Sequence, residues 1–108
     1  MLDLPTEPFP IARLAWHFDV PLWPDGERAY QVTPRQVLLQ PHRFAADYAR
    51  TRAASLVFPI EITFFKRRWL ILDGVHRLLK AHELGHEDIL VRKVPKAFLR
   101  TMGIETGS

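Results

Sequence analysis

The segment Trp69-Leu70-Ile71-Leu72-Asp73-Gly74-Val75-His76-Arg77-Leu78-Leu79-Lys80-Ala81-His82-Glu83-Leu84-Gly85 joins two kinds of pattern across two residues. Trp69 to Leu72 is a short continuous apolar run of strand type. Asp73-Gly74 ends it, and Val75 to Leu84 has helical spacing, with Val75, Leu78, Leu79 and Ala81 available to one apolar face. Gly85 is the expected left-handed stop. A strand that turns directly into a helix puts free backbone N–H groups, and the positive end of the helix dipole, at one concave point that suits an anion. Gly74 removes a side chain that would block a phosphate, and His76 and Arg77 reach the same point with a titratable imidazole and a forked guanidinium. The ligand-binding candidates are therefore Gly74, Val75, His76 and Arg77. The catalytic candidates are Asp73, which is either the helix cap or a general base and metal ligand, and His76.

Working outward, Ile89 to Val94 is a β-rich run closed by Pro95, and Pro59 to Phe64 alternates apolar and polar residues. Lys66-Arg67-Arg68 reads as a hairpin connection before the Trp69 strand, a solvated turn with phosphate contact as the alternative. Strand, helix, strand in succession predicts that the strands on either side of the Val75 helix run parallel. Thr33-Pro34 starts a helix to about Gln40, with the Thr hydroxyl as cap and Pro34 at the first helical position. Pro41 interrupts it, and a second helix follows with Phe44, Tyr48 and Leu56 on one side and Arg43, Asp47, Arg50 and Arg52 on the other. Five prolines in the first 26 residues leave room only for short extended pieces, with Leu14 to Phe18 as a strand and Trp16, Phe18, Leu22 and Trp23 as a flap over the core. Core burial is the expected role of those aromatics, ahead of base stacking. The expected fold class is α+β, a small mixed β-sheet with packed helices. It forms a single domain over residues 1–108: a proline-rich N-terminal flap at 1–32, a core at 33–95 and a tail at 96–108 in which Lys96 to Arg100 adds one helical turn.

A chain of 108 residues with 47% hydrophobic and 25% charged residues can build one core. The absence of cysteine excludes a disulfide scaffold, a thiolate zinc site and a cysteine nucleophile. No apolar run is long enough to span a bilayer, and Met1 to Pro10 lacks the pattern of a secretory signal, so a cytoplasmic protein without a membrane partner is expected. The formal charge of +3 is unevenly spread. Residues 1–33 carry two basic and five acidic side chains, a balance of −3, and residues 34–108 carry +6. Such a bias concentrates phosphate-bearing partners.

The Asp73-Gly74-Val75-His76-Arg77-Leu78 box, the small Ala81, the Glu83-Leu84-Gly85 helix end, the strand Ile89 to Val94 and the upstream Phe58-Pro59-Ile60 together resemble the ParB/sulfiredoxin superfamily over about residues 33–95. In ParB the resembling box holds the phosphates of cytidine triphosphate. In sulfiredoxin it holds those of ATP and includes a catalytic cysteine between Gly and His, and in archaeal free serine kinases it lies beside an adenine nucleotide. Val75 occupies the cysteine position here, which excludes sulfiredoxin activity. The helix-turn-helix and dimerisation regions of a full ParB have no counterpart in these 108 residues. The resemblance thus implies a minimal ParB-like domain with its phosphate pocket at Gly74, His76 and Arg77 and Asp73 beside them. It leaves the cofactor open, a nucleotide with magnesium being the candidate. It also leaves open whether the domain is a nucleotide hydrolase or small-molecule kinase, or a ligand-gated binding module.

Other residues are assigned plainer roles. His82 and His86 are separated by the helix-ending Gly85, which breaks the shared face a zinc pair needs, and His17, His42, His82 and His86 are read as structural or solvated. Glu61 is an outward-facing strand carboxylate before it is a general base. No serine lies in a nucleophile elbow. The rival function is nonspecific binding of nucleic acid along Arg43, Arg50, Arg52, Lys66, Arg67, Arg68, Arg92 and Lys93, or a protein-partner accessory role.

Overall fold

In a computed structural model, residues 4–97 are described. The order of elements is β1 (Thr6–Pro10), two 3-10 turns (Ile11–Arg13 and Ala15–Asp19), β2 (Trp23–Asp25), β3 (Arg28–Val32), α1 (Pro34–Leu39), α2 (Ala45–Ala53), β4 (Ile60–Phe65), β5 (Arg68–Asp73), α3 (Val75–Glu83) and β6 (Asp88–Lys93). This is an α+β domain with a mixed four-stranded sheet, β1-β6-β4-β5, beside a small β2-β3 hairpin.

The sheet corrects one expectation about strand direction. β5 runs antiparallel to β4 through its tight hairpin, and β6 lies parallel to β4 on the opposite edge, so the strands flanking α3 are antiparallel to each other. The outer edge of β5 is already occupied: Trp16 Nε1 donates to the Trp69 carbonyl at 3.1 Å, and the Ile71 N–H donates to His17 Nε2 at 3.0 Å. Two side chains thus satisfy backbone groups that a neighbouring strand would otherwise take. This is also why Ala15–Asp19 is a 3-10 turn and not the expected strand. Ile11, Leu14 and Phe18, spaced by three and four, all enter the core.

The N-terminal segment is likewise more than a flap. β1 pairs antiparallel with β6 from Thr6↔Arg92 to Pro10↔Asp88, and the ladder continues with Ile11 N–H to the Glu87 carbonyl at 2.9 Å. Residues 7, 9 and 11 therefore face β6, and Pro8 and Pro10 turn their missing donors to the open edge, where they block further pairing.

Local chemistry explains the helices. Thr33 and Gln36 form a reciprocal capping box, with Gln36 N–H on Thr33 Oγ1 at 3.1 Å and Thr33 N–H on Gln36 Oε1 at 2.8 Å, and Pro34 is at the first helical position. α1 stops at Leu39, two residues before Pro41. Lys80 of α3 donates to the Ala54 and Arg52 carbonyls at 2.6 and 3.0 Å, closing the C-terminal end of α2. Tyr48 donates to Glu83 at 2.8 Å, so α2 and α3 are joined at both points. The core of Leu14, Phe18, Val32, Val37, Ile60, Ile62, Leu78, Leu79 and Val91 is almost wholly buried. Of the expected turn at Lys96 to Arg100, residues 98–100 lie outside the described residues.

Candidate functional site

β5 delivers Asp73 to the start of α3, and the α2–β4 loop, held by the Lys80 bonds, runs past the same point. Between them opens a cleft of about 520 Å³, within the usual range for small-molecule sites. Asp73, Gly74, Val75, His76 and Arg77 all line it, so the structure brings together every residue singled out around the Asp-Gly turn. Trp23, Ser55 and Phe58 complete the walls.

The reason for Gly74 differs from the expected one. Gly74 is the N-cap of α3 with φ +114°, and a Cβ built on it would lie 2.4 Å from Ile60 Cγ2. The missing side chain makes room for the core, not for a ligand. Asp73 is not the helix cap: it ends β5, exposed, and no side chain caps α3. The first-turn N–H groups of Val75, His76 and Arg77 are therefore left without a side-chain acceptor at the cleft. Val75 lines the cleft while its side chain packs against the core.

His76 is held between two elements. Its ring stacks on Trp23 at 4.4 Å with an interplanar angle of 9°, and its Nε2 is buried, without a hydrogen bond, 3.8 Å from Asp47 Oδ1. Burial pushes the imidazole below its ordinary pKa of 6.5, against the attraction of Asp47 and with the help of Arg50. A neutral ring at neutral pH follows. Arg77 donates to the Pro59 carbonyl at 3.1 Å and lies over the Phe58 ring at 5.9 Å. It has a positioning role on the loop as well as free donors for a ligand.

Glu61 does not join the cleft. It faces Arg92 at 3.8 Å. His17 is structural: its Nδ1 donates to the Leu14 carbonyl at 2.8 Å, its Nε2 accepts from Ile71, and burial holds its pKa below the ordinary value. Six of the eight basic residues expected along one phosphate-tracking face lie in separate places. Arg43, Arg50 and Arg92 face Asp25, Asp47 and Glu61, and Lys66 to Arg68 sit at the opposite end of β4 and β5 from Asp73. Among the described residues no three His, Cys, Asp or Glu side chains come together as a metal cage. Asp73 suits a magnesium ion that arrives on phosphates, which needs only one or two protein carboxylates. No helix among the described residues is long and apolar enough to cross a membrane.

Reading residues alone missed Trp23, Asp47, Ser55 and Phe58 as site residues. Trp23 and Phe58 carried a signal, as aromatics beside turn-forming prolines. Asp47 carried none, because only the α2–α3 packing brings it to His76. Comparison of the chain with family models, curated proteins and solved structures found no match.

Proposed function

We propose that this is a ParB/sulfiredoxin-type domain that binds a nucleotide or another phosphate-bearing ligand in the cleft at the start of α3. The observation that carries the reading is the uncapped first turn of α3, opening on that cleft beside the Arg77 guanidinium. Backbone donors aligned with a helix dipole and a planar cation are the groups that bind phosphate oxygens. Trp23 and Phe58 offer apolar walls for the rest of the ligand, and Asp73 would hold magnesium brought by the phosphates. The Asp-Gly-Val-His-Arg box and the β4-β5-α3-β6 order support the family likeness.

Thermal denaturation with nucleoside di- and triphosphates and pyrophosphate, with and without magnesium, tests the reading. A ligand at about 100 times its dissociation constant adds roughly 2.7 kcal/mol of stability. No shift with any of them refutes it. Binding is the proposed activity; phosphate release that Asp73→Asn abolishes while binding survives would add catalysis to it.

A further inference from the structure

We propose that the hairpin end of the sheet, remote from the α3 cleft, is a second binding surface that takes single-stranded nucleic acid. Among the described residues, Lys66, Arg67, Arg68, Lys93 and Lys96 gather here, and Lys93 pairs with Glu7 at 2.7 Å. These five cations and Glu7 sum to +4 among the described residues. Among the described residues, no salt bridge neutralises the other four cations.

The backbone adds a second observation. The β4–β5 turn has Lys66 at φ +50° and Arg67 at φ +70°. Two successive left-handed residues make the tight hairpin turn for which Asn-Gly is the unstrained choice. Placing Lys-Arg there keeps two cations at the tip at a conformational cost.

The third observation selects the partner. Beside the tip lies an open cleft of about 370 Å³ lined by Phe64, Trp69, Lys93 and Lys96 among others. Phe64 is 49% exposed and meets Trp69 edge to face at 5.2 Å, with Lys93 Nζ 5.1 Å from the Trp69 ring. Lys66 and Lys96 flank the adjacent Phe65 ring at 5.3 and 5.2 Å. One exposed ring, Phe64, set against the half-buried Trp69 with Lys93 over it, matches an unpaired base stacked on a side chain with its phosphates on the neighbouring lysines, in DNA or RNA alike. A duplex offers no free base face to those rings. A lipid surface would call for a broader apolar face than Phe64 provides.

The test is fluorescence anisotropy with labelled oligothymidylate and oligouridylate of about 12 nucleotides. A matched duplex and anionic phospholipid vesicles serve as comparison arms. Log affinity should fall linearly with log salt, and the variant Lys66→Asn/Arg67→Gly should flatten that slope by about 1.4, two phosphate contacts at about 0.7 each. Because Asn-Gly relieves the turn, this variant should also resist denaturant better than the parent, which separates lost binding from lost fold. Phe64→Ala should weaken single-strand binding at least about fivefold. Any of four results overturns the proposal: no binding at about 50 mM salt, a slope unchanged in the turn variant, duplex bound as tightly as single strands with no effect of Phe64→Ala, or binding to vesicles alone.

Discussion

Gly74→Ala tests the physical reason for the glycine at the mouth of the cleft. The added Cβ would lie 2.4 Å from Ile60 Cγ2 and 2.8 Å from Ile60 Cβ, on a backbone at φ +114°. Ile60 is fully buried, so its side chain cannot move toward solvent without opening the core. Two costs therefore add. The left-handed backbone costs an L residue about 1–2 kcal/mol, and forcing a methyl group into packed surroundings costs about 1–3 kcal/mol. Gly85→Ala isolates the first cost: Gly85 has φ +83° and nothing within 4 Å of a built Cβ. Urea denaturation of both variants should give a loss of about 1–2 kcal/mol at Gly85 and about 2–5 kcal/mol at Gly74. The difference between the two reports the contact with Ile60. Equal losses, or a smaller loss at Gly74, would refute the claim that this glycine is required by core packing.

Arg77→Ala should do two things, because Arg77 both ties the Pro59 carbonyl and faces the cleft: lower stability by about 1–2 kcal/mol and weaken nucleotide binding at least about tenfold. Calorimetric titration of the variant at a temperature where it is fully folded checks both, and unchanged binding would leave Arg77 a purely structural residue. Stability should fall with acid. Burial holds His17 and His76 below their ordinary 6.5, so below about that pH the unfolded chain binds protons that the folded one refuses. This contribution is complete above 6.5 and is lost as pH falls toward the lowered folded values. A urea midpoint that stays constant from about pH 7.5 to about pH 5.5 would contradict it. Thr33→Ala should cost about 1 kcal/mol through the capping box, as read from the same denaturation curves.

What was legible in the sequence was what neighbouring residues decide among themselves. Thr33-Pro34 announces α1, the alternation after Pro59 announces β4, and the apolar run followed by Asp73-Gly74 and helical spacing announces β5 and α3. The cluster around the Asp-Gly turn was legible for the same reason, since a strand-to-helix junction leaves donors free wherever it occurs. The hidden parts depend on partners far away in the chain. Thr6–Pro10 is dense in proline and reads as a short extended piece of a flap until its alternate N–H groups are seen to face β6. Residues 14–18 look strand-like by composition, yet Trp16 and His17 act through their side chains on β5, 53 and 54 residues away. β6 could be recognised as a strand, but its place beside β4 follows from the occupied edge of β5. Trp23 and Asp47 reach His76 from different elements, and neither position is encoded near it.

The central claim is that phosphate oxygens bind at the uncapped start of α3. Backbone amide chemical shifts of the isotope-labelled protein, followed during titration with pyrophosphate and then with a magnesium nucleoside triphosphate, test it most directly. Saturable shifts should be greatest at Val75, His76 and Arg77, with the Trp23 indole N–H responding to the nucleotide more than to pyrophosphate. Saturating ligand that leaves those four signals unmoved, or moves only those of Lys66 to Arg68, would contradict it.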